Sequence, residues 1–456
     1  MFDITVVPQE RLDPLRNGSS EDPQDTAEEA IRKEKQVHVI RAEKRMKIFR
    51  NILNSTSPEF TLIQPLLTSL AAVVVAIFTI GVYAMVPVHN VYESPEKWFE
   101  YPLQSLFSFW PIYAAHILFD SIYLLNTDII RSFCTFGTLY IALAIVCWAM
   151  FSLSYTIWNH AFGLRYPVPL IGYINFFTMT VTCLCTIWFQ FPLEWRKNYA
   201  FRKRLKWNLL TILALNLCVA EYIGCTAALV LTPENFQWII AVILPFVRQI
   251  NLWITTSMAK NCYGGDPLAG EIYMNQCLSN IHASFLSYSV GTVATLSTSV
   301  VIIAAEFFIN LIVALRLLWV RHKEDSLDNN LEIIKLLQEL VISELTEVLT
   351  PLTYLGCIIM AYYGPNSEII GNVRNSWFHF IAIEDLEYTL KMVATFFFVD
   401  LGSLAVSAGL IWKFGSINFF QAFAALQNEF WLAFGNNLVT SFLGVSTRLI
   451  ITSYII

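Results

Sequence analysis

The segment "TFFFVDLGSLAVSAGL" (395–410) is apolar apart from one carboxylate, Asp400, near its middle and two serines. With its flanks it stays apolar from about 388 to 412, long enough on a helix to cross the ~30 Å hydrocarbon core of a bilayer. Segments of this kind recur, and their recurrence decides the fold. They fall near 62–87, 103–126, 133–158, 168–192, 208–231, 236–258, 277–296, 299–320, 342–363, 388–412 and 430–455. The stretch "ATLSTS" (294–299) reads either as a tight turn between two spans or as a polar patch in one long helix. The expectation is an all-α, polytopic integral membrane bundle of about eleven spans, with ten as the alternative.

Composition agrees. Of 456 residues, 56% are hydrophobic and only 14% charged, too few charges for a surface that faces water on all sides. The 34 Phe and 13 Trp suit lipid-facing surfaces and interfacial belts. The 9 cysteines lie almost wholly in apolar runs, which reads as buried thiols rather than a disulfide framework. No apolar h-region follows Met1, so the first span is expected to act as an uncleaved anchor.

Residues 1–60 form a polar tail, read as disordered to about 25 and then as a basic helix, "IRKEKQVHVIRAEKRMKIFRNIL" (31–53). Met46, Phe49 and Leu53 line an apolar strip beside its Arg and Lys residues, which suits an anionic membrane surface. The alternative is a solvated charged helix. Residues 61–456 make the multi-pass domain. With the amino terminus inside, inner segments collect Arg131, the basic loop of residues 196–206, Lys260, Arg321, Lys335 and Lys413, while outer ones hold Lys97, Arg165 and Arg374. That asymmetry predicts a cytoplasmic amino terminus, with the plasma membrane as the default location. A stretch near 328–345 reads as an inner amphipathic helix running into the ninth span, kinked at Pro351. Residues 414–430 read as lying along the inner interface.

Charges inside spans cost about 2.5–3.5 kcal/mol each on insertion scales, so they mark interior faces. The candidates for a substrate or ion pathway are His116, Asp120, Glu221, Arg248, Glu306 and Asp400, with Arg448 in the last span. Asp400 reads either as a protonatable or cation-binding carboxylate or as the partner of a buried arginine such as Arg248. "ILPFVRQINLW" (243–253) reads either as a proline-broken helix with a binding site at Arg248, Gln249 and Asn251, or as a helix anchored by a snorkelling arginine. His116 and Asp120, four apart in "AAHILFDSIY" (114–123), share one helix face. This spacing resembles the zinc-binding pair of cation diffusion facilitators, but those proteins carry a second pair on another helix and none matches here. The pair reads as a structural hydrogen bond or as a proton-path couple.

No P-loop, G-x-S-x-G, H-E-x-x-H or dinucleotide fingerprint is present, so no cofactor or resident metal is expected. His379, Glu384 and Asp385 offer acid and base groups for an embedded hydrolase, without an evident nucleophile. The leading reading is a transporter or channel for a cation or a proton-coupled small solute. The rival is a receptor or assembly scaffold whose interior charges only hold helices together. Expected partners are the bilayer, anionic lipids at the basic amino-terminal helix and the 196–206 loop, and a small ion or solute. Nucleic acid is not among them, and the oligomeric state is open.

Asn17 and Asn54 head glycosylation sequons on the side predicted to be cytosolic. Neither should be modified. A glycosidase-sensitive mass shift that disappears in Asn54→Gln would invert the amino-terminal topology.

Overall fold

A computed structural model describes residues 171–262, 267–322, 327–363 and 386–429, with scattered helical residues between 67 and 78 and between 137 and 146. The described residues are nearly all helical. Four helical stretches, Glu234–Cys262, Leu296–Arg321, Glu332–Met360 and Leu386–Gly415, are long and apolar enough to cross a membrane. The protein is an integral membrane protein, and its remaining expected spans lie wholly or partly outside the described residues or short of that threshold.

Helix α1 (Ile171–Gln190) turns through a short α2 (Leu193–Lys197) into α3 (Tyr199–Leu231). Asn198 caps α3, its Oδ1 accepting from the Ala200 and Phe201 amides at 2.8 and 3.3 Å. The rings of Phe191, Trp195 and Phe201 pack at this corner. Arg196 donates to the carbonyls of Phe191 and Phe189 at 2.7 and 2.8 Å, satisfying the end of α1. The expected basic loop of residues 196–206 is therefore helical over most of its length. The reason is local: an asparagine cap and an aromatic corner start the helix well before the apolar run.

Helix α4 (Gln237–Cys262) runs unbroken through Pro245, which corrects the expectation of a proline-broken helix. Helix α5 (Pro267–Tyr288) ends in a π-helical turn at Ser289–Val293. Thr295 then caps α6 (Leu296–Arg321), its Oγ1 accepting from the Thr298 amide. Residues 294–295 thus separate two helices, and 296–299 open the second. Gln237 ties this junction to the start of α4: its Nε2 donates to the Leu229 carbonyl and its Oε1 accepts from the Thr295 amide. Helix α7 (Leu327–Tyr363) continues through Pro351, so residues 328–345 and the ninth span form one helix. Helices α8 (Leu386–Gly415) and α9 (Phe419–Glu429) follow, and α9 buries Phe419, Ala422 and Phe423 in the core.

Helices α5 and α7 form the centre, with α4, α6 and α8 packed around them. In the spanning stretch of α7, 71% of the residues are buried, against 28–39% in the other three, which makes it an interior helix. The outer faces are apolar: Phe246, Ile250 and Trp253 on α4, Phe308 and Ile312 on α6, and Phe398 and Val406 on α8 are exposed. The interior, by contrast, holds Asn275, His282, Glu306, Asn310, Glu344, Glu347 and Asp400. Apolar outside and polar inside is the distribution that a lipid solvent selects.

Two apolar clusters lie towards opposite ends of these helices. One contains Ala259, Leu278, Ala314, Leu345 and Leu404, the other Leu244, Phe285, Ile302 and Phe396. Along α4, α6 and α8 the second cluster comes first, and along α5 the first does, so α5 runs antiparallel to those three. Arg248, His282, Glu306 and Asp400 each fall between the two clusters on their own helix. They share one depth.

Just beyond this layer, Thr389 Oγ1 donates to the Gly291 carbonyl at 2.8 Å. A Cβ on Gly291 would lie 2.8 Å from Cγ2 of the fully buried Val393. Gly291→Ala should destabilise by about 1–3 kcal/mol through overpacking at this stiff side chain. The same substitution should cost less in a Val393→Ala background, as read by unfolding of purified protein.

Candidate functional site

The polar layer is built around Arg248. Its position on α4 puts it on the same inward face as Leu244, Asn251 and Thr255, and it is 3% exposed, so it does not snorkel. Its Nη1 lies 3.4 Å from Glu347 Oε1 and 3.6 Å from Glu306 Oε2. Its Nη2 donates to Ser279 and Ser343 at 3.0 and 2.7 Å. Four helices therefore meet on one guanidinium.

Glu347 is satisfied at both oxygens. Oε1 also accepts from Ser343 at 2.6 Å, and Oε2 accepts from Asn310 Nδ2 at 2.6 Å. Glu306 Oε1 meets His282 Nε2 at 2.7 Å, and His282 Nδ1 meets the Tyr222 hydroxyl at 3.0 Å. The neutral tautomer protonated at Nε2 fits both contacts, donating to the carboxylate and accepting from the phenol. A continuous polar chain results, from Tyr222 through His282, Glu306 and Arg248 to Glu347 and Asn310.

Glu344 sits on the neighbouring face of α7 and is fully buried. Its Oε1 accepts from Ser407 at 2.6 Å and from Ser403 at 3.2 Å, both on α8. Its Oε2 has no hydrogen-bond donor among the described residues, and the same holds for Asp400 Oδ2. Asp400 lies on the same face of α8 as Ser403 and Ser407 and within electrostatic reach of Glu306, Glu344 and Glu347.

Of the residues singled out from sequence, the structure brings together Arg248, Glu306 and Asp400 in this layer. The ion-pair partners of Arg248 are Glu306 and Glu347, not Asp400. Glu221 is at the edge: its side chain is exposed and accepts from Asn251 Nδ2 at 2.8 Å. Gln249 points outward, donating to Glu339 at 3.3 Å. His116, Asp120, His379, Glu384, Asp385 and Arg448 lie outside the described residues. Sequence reasoning missed His282, Asn310, Glu344 and Glu347. His282 carried a usable signal, as an imidazole inside an expected span. Glu344 and Glu347 were hidden in a segment that reads as amphipathic.

Among the described residues, no three His, Cys, Asp or Glu side chains converge as metal ligands. No family model, curated protein or solved structure matches this chain.

The two halves of the layer should respond oppositely to substitution. Arg248→Gln leaves Glu306 and Glu347 without their guanidinium and should cost about 3–5 kcal/mol, with part recovered in the Arg248→Gln/Glu347→Gln pair. Asp400→Asn removes a like charge from among carboxylates and breaks no ion pair. It should leave the unfolding temperature of purified protein unchanged or raised.

Proposed function

We propose that this chain is a multi-pass membrane transporter or channel for a cation or a proton-coupled small solute, with the polar layer as its ion-handling centre. The observation that carries the reading is an imbalance of charge. Glu306, Glu344, Glu347 and Asp400 are all buried, with Asp400 in electrostatic reach of the other three, and Arg248 is the permanent cation and His282 a titratable one. Even with His282 protonated, full ionisation would leave two negative charges uncompensated among the described residues. An interior of low dielectric does not tolerate that. Bound protons or a bound cation would supply the balance, and a buried group that exchanges them is what ion-coupled transport requires.

Two further features support the reading. The apolar clusters towards either end enclose the layer, and the run from Tyr222 through His282 to Glu306 is hydrogen-bonded and passes through an imidazole that can hand on a proton. The receptor or scaffold reading draws on the Arg248 half alone, where partners are well matched. It does not account for the unpartnered oxygens of Glu344 and Asp400.

The basic residues support an orientation. Lys203, Lys206, Lys260, Arg321, Lys335 and Lys413 lie towards the first cluster's end of the helices, and Lys391 towards the other. On the positive-inside rule the first end faces the cytoplasm. The exposed Lys197, Arg202, Lys203 and Lys206 are then placed to meet anionic headgroups.

Purified protein in liposomes with a trapped pH-sensitive dye, driven by imposed potentials and by Na⁺ or K⁺ gradients, tests the proposal. Proton or alkali-cation flux above protein-free vesicles, lost in Glu347→Gln, is the expected result. Flux equal to that of empty vesicles under every gradient would leave the scaffold reading in its place.

A further inference from the structure

The polar layer divides into a half whose carboxylates are ion-paired and a half whose carboxylates are not. In the first half, both oxygens of Glu347 have a donor, and Glu306 is held by a hydrogen bond from His282 and by an ion pair to Arg248 at 3.6 Å, although its Oε2 accepts no hydrogen bond among the described residues. The second half is Glu344 with the α8 face of Asp400, Ser403 and Ser407, all at most 4% exposed. There, Glu344 Oε2 and Asp400 Oδ2 lack donors among the described residues. Each serine that donates its one proton to Glu344 Oε1 keeps lone pairs free to accept or to ligate.

We infer that Glu344, Asp400 and Ser403, with Ser407 holding the Glu344 carboxylate in place, form a subsite for a small monovalent metal cation, which binds there in competition with protons. The donor set decides the class of ion. It offers carboxylate and hydroxyl oxygen and neither imidazole nor thiolate, so it does not suit zinc or copper. Calcium takes six to eight oxygens and magnesium a near-ideal octahedron, and two carboxyls with one hydroxyl fall short of both. An alkali ion with one retained proton neutralises Glu344 and Asp400 together. The charged groups within reach of this subsite set its proton competition: Glu347 on α7, Glu306 on α6 and Arg248 on α4, with His282 and Tyr222 one step further off behind Glu306. The inference deepens the transport reading and rests on it for the purpose of the ion, but not for its binding.

The test is thermal unfolding of the full-length purified protein. NaCl, LiCl and KCl are titrated against N-methyl-D-glucamine chloride at fixed ionic strength, from acid to alkaline pH. A ligand that binds only the folded state raises the unfolding temperature with a saturating dependence on its concentration. One alkali ion should do so, with an apparent affinity that weakens about tenfold per pH unit on the acid side, as exchange against one proton requires. Glu344→Gln should abolish the shift, and the milder Ser403→Ala/Ser407→Ala pair should weaken it if Glu344→Gln fails to fold. Glu332→Gln, on the surface, should leave it intact. No alkali-specific shift at any pH, a shift unchanged in the serine pair, or a larger shift with CaCl₂ would each overturn the inference. Flux in liposomes without an alkali-specific shift removes the subsite and leaves transport standing. A shift without flux does the reverse.

Discussion

A guanidinium placed where no water reaches must find all its compensation in protein, and at Arg248 that requirement fixes four helices at one point. Ser279 on α5, Glu306 on α6, and Ser343 and Glu347 on α7 must arrive at the depth of a single α4 side chain. Sliding any of these helices by one turn, about 5.4 Å, would strand a charge. Desolvation offsets much of the Coulomb gain of such a network, so its contribution lies in register more than in net stability. The fifth helix is keyed separately, through the two serines of α8 that donate to Glu344. Depth in this bundle is thus set by polar contacts, and the apolar clusters above and below pack around a register already chosen.

How much of this was legible in sequence depends on the contrast between a residue and its neighbours. Arg248, Glu306 and Asp400 stood out because each interrupts an apolar run, and a charge in such a run points inward on energetic grounds. The stretch "QELVISELTEVLT" (338–350) offers no such contrast, since polar and apolar residues alternate at helical spacing. In a water-soluble protein the polar stripe of such a helix faces solvent. Here the stripe of Ser343, Glu344, Glu347 and Thr350 faces a polar interior, and both stripes of α7 are buried. Helix α5 shows the same inversion: in "NQCLSNIHASFLS" (275–287), within and beside an expected span, the polar residues are buried among the other helices. Periodicity reveals that a helix has two faces. It does not reveal which medium each face meets.

The break between α5 and α6 was left open by sequence for a related reason. "ATLSTS" carries no glycine or proline, and its serines and threonines suit a cap or a buried polar patch equally. The structure resolves it through Thr295, which takes the cap, and through Gln237, which supplies an acceptor from another helix. That second contact spans 58 positions in sequence, and no local pattern encodes it.

On the transport reading, the two apolar clusters are the barriers towards either end. Among the described residues the first draws on α7, α8 and α9 together, with Leu337, Leu340, Ile411, Phe419 and Phe423 all buried. The second is formed around Tyr222, Leu244, Phe285, Ile302 and Phe396, with Tyr354, Ile358, Leu386 and Val393 clustered towards the same end, and it adjoins the π-helical turn at Ser289–Val293. Opening either costs free energy in proportion to the apolar area returned to a polar medium. The π turn lies on the second cluster's side, and it is the place where α5 already departs from regular hydrogen bonding. The close approach of Gly291 to Thr389 and Val393 joins that irregular turn to α8, the helix that carries Asp400, Ser403 and Ser407. On the transport reading, α8 therefore links the acidic half of the layer to the second cluster's end, whereas the Arg248 half is keyed into four helices and serves as the frame.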